Sequence, residues 1–486
     1  MYSTQARHAV LSGLPGRDGD AAAPGALIAG AVLLALLAGA ISALFGGLVA
    51  ILFFAVVAFM AFAFSDYRAG IVIAMVLLPL SSSILMPRAL FGVTGLNPLN
   101  ATLAMAGMSV AFAWLFQRAH LNVPRLPRPL IVYLGLLTAA ALHGVTQVGL
   151  IPPFFRLLEI VSFDSAGGYL RDVFAKPLLI VVTAWLLALL VANARSPRRF
   201  LLPFFLSALA LPLFVIGYVA VSGASLGALA SARARDTLSV SGMHANELGL
   251  MFNMTLALAL FTLRGAKGIA RWGLMIACGV LLTAVALTFS RGAYLGTLVL
   301  AVCFLIAQRR FKILAGGLLV LPLGLLLLPD AVIERAATGL ASGNIELISA
   351  GRVGRIWMPL LPELMHNALV GDGLYAMLWA EAVRSGATLK VGHPHNAYLA
   401  TLQDVGLLGA VIVAWFFWRM RSLFAALRAR LADPLWRGFF RGASACILLL
   451  LVQGLTDDRF TPTFSQTYLW LAYGIALGMA ARRERA

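Results

Sequence analysis

The chain has 486 residues, 61% of them hydrophobic and 12% charged, with a formal net charge of +18. So apolar a composition excludes an ordinary soluble domain and describes an all-α, polytopic membrane protein. The positive surplus does not point to nucleic acid, because it lies in short loops between apolar runs, where it orients helices and meets anionic lipid headgroups.

Residues 1–24 contain Gly, Ala and Asp with little periodicity and read as a disordered cytoplasmic tail; the apolar stretch that follows is too long for a cleaved signal peptide. A helix needs about 20 apolar residues to cross the hydrocarbon core. Runs of that order fall at 26–44, 47–64, 69–87, 99–117, 129–147, 173–193, 201–222, 246–263, 272–289, 293–308, 312–328, 396–419, 438–456 and 464–480. They predict about 12–14 transmembrane helices. The chain divides into N-terminal transmembrane helices over 25–228, a core over 229–415, and C-terminal helices with a basic tail over 416–486. No internal repeat, inverted or otherwise, marks a secondary transporter.

Orientation follows from alternate basic connections: Arg118/Arg125/Arg128, Arg195/Arg198/Arg199, Arg264/Lys267/Arg271, Arg309/Arg310/Lys312, Arg419 through Arg437, and Arg482/Arg483/Arg485. The positive-inside rule makes these cytoplasmic, with both termini. The segments at 148–172, 223–245, 290–292, 329–395 and 457–463 are then exported. Residues 148–172, with Pro152-Pro153-Phe154-Phe155 ahead of Arg156, Glu159 and Asp164, suit an interfacial or re-entrant piece. The long segment 329–395 is too small for an independent enzyme domain and predicts a helix near 354–369, ended by Gly371 as a C-cap.

Basic residues on the exported side have no topological reason to be there. Arg233 and Arg235 are best accounted for by a phosphate partner, which guanidinium binds bidentately. Ser290-Arg291-Gly292 closes a hairpin with almost no loop; Arg291 either snorkels to headgroups or is pinned where a lipid-linked phosphate would lie. His244 and Asn246 open the span at 246–263, where Asn246 either caps its helix or meets a ligand. Gly392-His393-Pro394-His395-Asn396 leads into the span at 396–419. Its two histidines lack the local Asp, Glu or Cys set of a metal site, and a neutral imidazole beside arginines suits a general base. Asp404 lies about two turns into that span, a depth at which an acid faces protein or water; it orients His395 or an arginine, or packs helices. Asp457-Asp458-Arg459 reads chiefly as structural pairing. Cys278, Cys303 and Cys446 sit in apolar runs without CxxC spacing and support neither a disulfide nor zinc.

Together, Ser290-Arg291-Gly292, Gly351-Arg352…Trp357, Gly371-Asp-Gly373 and Pro394-His395-Asn396-Ala-Tyr398-Leu399…Gly406-Leu-Leu-Gly409 resemble the shared region of the O-antigen ligase and Wzy-type polymerase superfamily, over about residues 230–415. Arg352 and Arg355 both stand near the position of the family arginine. The resemblance implies a membrane glycosyltransferase of the GT-C type with one large periplasmic loop, in a bacterial inner membrane with its active site facing the periplasm. It implies metal-independent, inverting transfer of a glycan from an undecaprenyl-diphosphate donor to an acceptor hydroxyl on a glycan, lipid A–core or protein, without a cofactor. His395 would be the base, and Arg233, Arg235, Arg291, Arg352, Arg355, His244, Asn246 and Asn396 would bind substrate. Polymerisation and protein glycosylation use the same chemistry; the reading from another class is a transporter of lipid-linked oligosaccharide.

Overall fold

Hydropathy says where a chain crosses a membrane, whereas caps and backbone breaks say where its helices begin and end. The computed structural model describes residues 66–87, 89–90, 93–95, 97–115, 121–222, 238–309, 343–349, 351–456 and 459–483. The expected spans at 26–44, 47–64 and 312–328 lie outside the described residues, as do Arg233, Arg235, Asp457 and Asp458. The principal helices are α1 (Tyr67–Leu77), α2 (Pro98–Leu115), α3 (Arg128–Val145), α4 (Lys176–Ala192), α5 (Leu201–Ser222), α6 (Ala245–Leu263), α7 (Gly268–Leu287), α8 (Arg291–Ala307), α9 (Ala397–Arg430), α10 (Pro434–Gln453) and α11 (Thr467–Arg483). Among the described residues, eight helices are long and apolar enough to cross a membrane, and α1 and α8 are shorter apolar ones. A minimal hairpin pairing Ala89 with Thr94 and Leu90 with Val93 is the strand content of the described residues. The protein is an all-α, multi-pass membrane protein.

Helix α6 is the central element: 78% of its spanning window is buried inside the protein, and it packs on α7, α8 and α10. Helix α11 lies along α4 and is buried over almost its whole length. Within the apolar core, Asn253 pairs with both Thr297 and Gln453. Asn253 Nδ2 donates to Gln453 Oε1 at 3.1 Å and to Ala293 O at 2.8 Å, and Thr297 Oγ1 donates to Asn253 Oδ1 at 2.7 Å. These bonds tie α6, α8 and α10 together where unpaired polar groups would be costly.

The basic connections gather at one end. Arg482 donates to Ala194 O, Asn122 and Asn193 bond one another, Gly265 abuts Leu435, and Arg441 Nη1 donates to Ala307 O at 3.4 Å. The starts of α6, α8 and α9 lie at the opposite end.

Three elements differ from expectation. The span expected at 173–193 continues a helix that starts at Ala166 and passes through a π-turn over Leu170–Ala175; Asp172 there bridges Arg171 and Lys176 at 2.9 and 2.6 Å. Helix α9 runs on to Arg430, well past 419, because its Ala-, Leu- and Arg-rich end favours helix whatever its hydropathy. The helix expected over 354–369 stops at Leu364, after a π-turn at Val353–Trp357.

Gly371 consequently has another task. Helix α9 breaks at Gly406, whose φ of 64° and ψ of −170° are open only to glycine. The chain before Gly373 lies in the break: the N–H groups of Asp372 and Gly373 donate to Gln403 O and Asp404 O at 2.8 and 3.0 Å, and those of Leu407 and Leu408 to Ala368 O and Leu369 O at 2.8 and 3.1 Å. A Cβ on Gly371 would stand 2.6 Å from Gly406 N, and one on Gly406 2.4 Å from Leu369 O. Broken helices survive at membrane depth when protein satisfies the freed backbone groups, as it does here.

Candidate functional site

The start of α6 is capped by His244, not Asn246. His244 Nδ1 accepts from Asn246 N at 3.3 Å, while Glu247 Oε2 accepts from His244 N at 2.7 Å, a reciprocal capping box. Asn246, released from capping, reaches sideways. Its Nδ2 donates to Thr456 O at 3.3 Å and its Oδ1 accepts from Ser290 Oγ at 2.7 Å. Ser290 in turn caps α8, accepting from Ala293 N at 3.2 Å, so Arg291 is held half-buried in the first turn of α8. A Cβ on Gly292 would stand 2.5 Å from Thr456 Oγ1, so this tight hairpin seats directly on the turn after α10.

That turn also receives the start of α9, since Ala397 N donates to Gly454 O at 2.7 Å. Asn396 caps α9, its Oδ1 accepting from Tyr398 N and Leu399 N at 3.0 and 3.1 Å. Just before it, His395 has a φ of 52°, a left-handed conformation that costs an ordinary side chain about 1–2 kcal/mol. The neighbours hold it there: Trp357 Nε1 donates to Pro394 O at 2.8 Å on one side, and the Asn396 cap fixes the other. The His395 and His393 rings stand 4.0 Å apart at 58°. Among the described residues no group of three His, Cys, Asp or Glu is arranged to hold a metal ion. Arg352 and Arg355 follow the Gly351 turn near this segment, where Leu389 N donates to Arg355 O at 3.0 Å. Arg352 is half-buried and Arg355 exposed.

Beneath the histidines lies an ion pair. Asp404 Oδ2 accepts from Arg459 Nη1 at 3.2 Å and Asp404 Oδ1 from Ala376 N at 3.0 Å, with both ionic side chains buried. The Arg459 guanidinium lies 3.2 Å from the Tyr375 ring centroid, and its carbonyl accepts from Gln466 Nε2 at 3.1 Å. Asp404 therefore serves an arginine, the one adjoining Asp457-Asp458 in sequence. Beside this pair, a cavity of about 570 Å³ is lined by Glu363, His366, Asp372, Trp379, Glu381 and Gln403. Trp379 Nε1 and Gln403 Oε1 in its wall are buried without a hydrogen-bond partner among the described residues.

The segment from the end of α7 through Ser290-Arg291-Gly292 to His395 and the break in α9 is where the chain is similar to a known family. Residues 276–414 match the O-antigen ligase family model. No curated protein matches the chain. The matched stretch lies within the region 230–415 that carries the resemblance, and similarity to this family supports a ligase- or polymerase-type role in glycan biosynthesis. Its neighbours in space lie outside the matched stretch: Asn246 on α6 bonds Ser290, Gly454 receives α9, and Arg459 pairs with Asp404. The structure thus joins Asn246, the Ser290–Gly292 hairpin and the α9 start around residues 454–456, with Arg352 and Arg355 on the adjoining segment. Sequence reasoning places Gln403 beside Asp404 and takes Trp379 as a sign of order, without a site role for either, and it misses Thr456, which carries no motif and matters only through what it touches.

Proposed function

We propose that the protein transfers a glycan from an undecaprenyl-diphosphate donor to an acceptor hydroxyl at the exported face of a bacterial inner membrane, as an O-antigen ligase does. The observation that carries the reading is the convergence, inside the ligase domain, of the Ser290–Gly292 hairpin and the residues after His395 on the turn at 454–456, at the end away from the basic connections. His395 takes the acceptor proton as the acceptor oxygen attacks the anomeric carbon. The bond to the diphosphate breaks, inverting that carbon, and undecaprenyl diphosphate leaves with the bonding electron pair. Fixed guanidinium groups at Arg291 and Arg352, with Arg355, Arg233 and Arg235, stabilise the developing charge where other enzymes use a metal. His244, Asn246 and Asn396 line the approach. The cavity at Trp379 and Gln403 suits the acceptor: its acids repel a diphosphate, while an aromatic ring and an unpaired amide oxygen match a sugar face and hydroxyl.

Against transport, the carbonyls freed by the α9 break accept from Asp372 and Gly373, and Lys176 pairs with Asp172. The test uses purified protein in liposomes with labelled lipid-linked glycan and EDTA, offering lipid A–core, a second lipid-linked repeat or a protein acceptor. Transfer to lipid A–core with an inverted anomeric centre is expected; elongation of the repeat would make the protein a polymerase, and translocation without product would overturn the reading. Arg291→Lys, which keeps charge but loses the planar fork, should lose most activity while still inserting. Cysteine labelling in intact cells should reach position 345 and spare position 428; the reverse would overturn the sidedness.

A further inference from the structure

At the end of α6 away from the candidate site, four arginines from three helices meet. Arg264 follows α6, Arg428 lies in the last turn of α9, and Arg437 and Arg441 stand one turn apart on α10; together they line a crevice of about 500 Å³. The helix ends framing it are locked backbone to backbone. A Cβ on Gly265 would stand 2.4 Å from Leu435 N, and one on Gly438 2.3 Å from Phe261 O, so the crevice is a fixed feature of the packing.

The positive-inside rule accounts for basic residues in loops, where flexible side chains spread apart into solvent. It does not account for this convergence. Arg441 is half-buried in the second turn of α10, within the repulsive field of Arg264 and Arg428, and among the described residues no carboxylate lines the crevice. Asp433, the acid next in sequence, is turned to capping α10, accepting from Leu435 N at 2.9 Å. Like charges held together in a part-buried recess are stable when an anion joins them, and several guanidinium forks match phosphate oxygens best. The volume is that of a small-molecule site. The 19 residues of α6 put it about 28 Å from His244, too far to share the donor's diphosphate.

We propose that this crevice is a second, non-catalytic binding site for a phosphate-bearing anion, either a phosphodiester headgroup of a membrane lipid or a free diphosphate. It is independent of the glycan-transfer reading. Native mass spectrometry of the full-length protein, exchanged from mixed phosphatidylglycerol and phosphatidylcholine, reads the retained lipid, and titration with inorganic pyrophosphate reads the soluble alternative. Wild type should retain phosphatidylglycerol in preference to phosphatidylcholine, or bind pyrophosphate. R428Q/R441Q should lose at least about tenfold of that binding, as expected for removing charge-assisted hydrogen bonds. The control R198Q/R199Q removes equal charge from exposed arginines at the same end and should stay within about twofold. Lipid retained against pyrophosphate assigns the site to a headgroup, and displacement by pyrophosphate assigns it to the free anion. Equal losses in both double variants mean bulk surface charge and overturn the proposal, as does unchanged binding in R428Q/R441Q. If that variant fails to fold, R437Q, at an exposed lining residue, should still weaken binding, and unchanged binding there overturns the proposal equally.

Discussion

Removing the charge of Arg459 should be among the most damaging single changes outside the reacting groups. Its side chain is 2% exposed and that of Asp404 5%, with 3.2 Å between Nη1 and Oδ2. Breaking such a buried pair by removing one partner costs about 3–5 kcal/mol. Asp404→Asn isolates the electrostatic part, because the amide keeps an oxygen for Ala376 N, now 3.0 Å from Oδ1. Arg459→Gln is the matching neutral change on the other side. Each alone should cost about 3–5 kcal/mol, whereas the double variant removes both members of the pair and should cost at least about 2 kcal/mol less than the sum. Equilibrium unfolding in mixed micelles, followed by tryptophan fluorescence, measures all three. Additivity within about 0.5 kcal/mol would refute the pairing and leave Asp404 as a helix-packing residue.

His395→Gly should separate chemistry from backbone, since glycine relieves the left-handed strain at φ 52°: unfolding should change by no more than about 1 kcal/mol, while transfer falls by about 10² to 10⁴. Transfer within a few-fold of wild type would move the base elsewhere. Asn253→Ala should destabilise by about 2 kcal/mol or more, because Gln453 Oε1 and Thr297 Oγ1 are left without their shared partner; a neutral result in the same unfolding assay would show that the cluster contributes nothing. Gly406→Ala should cost more than 2 kcal/mol, as it meets both a positive φ and Leu369 O at 2.4 Å, and wild-type stability would mean that α9 can straighten.

The transmembrane pattern is legible in the sequence because hydropathy is local: α5 lies at 201–222 as expected, and α2, α3 and α6 differ by a residue or two. The motifs at Ser290–Gly292 and His395-Asn396 are legible for the same reason, each being contiguous. What the sequence hides is pairing at long range. Nothing near Asn246 announces that Ser290 and Thr456 will claim its side chain while a histidine takes over the cap. Arg459, beside two acids in sequence, bonds a third one, Asp404, 55 positions away. Gly371 reads as a helix C-cap because glycine after a helical pattern usually is one, but its φ of 71° serves close passage beside Gly406. Helix α9 outruns its hydropathy because arginines mark the membrane boundary without ending a helix.

The break in α9 also limits how this protein can be recombined. Residues 368–373 complete the backbone of a helix that begins more than twenty residues later, so the segment ahead of α9 and α9 itself form one cooperative unit divided between two sequence stretches. A chimera that exchanges 343–396 with a relative, to alter which acceptor is used, would leave Gln403, Asp404, Leu407 and Leu408 facing a foreign loop. Such a graft has to carry the turn of α9 around Gly406 with it, and acceptor preference in this architecture should be inherited across that junction as a block.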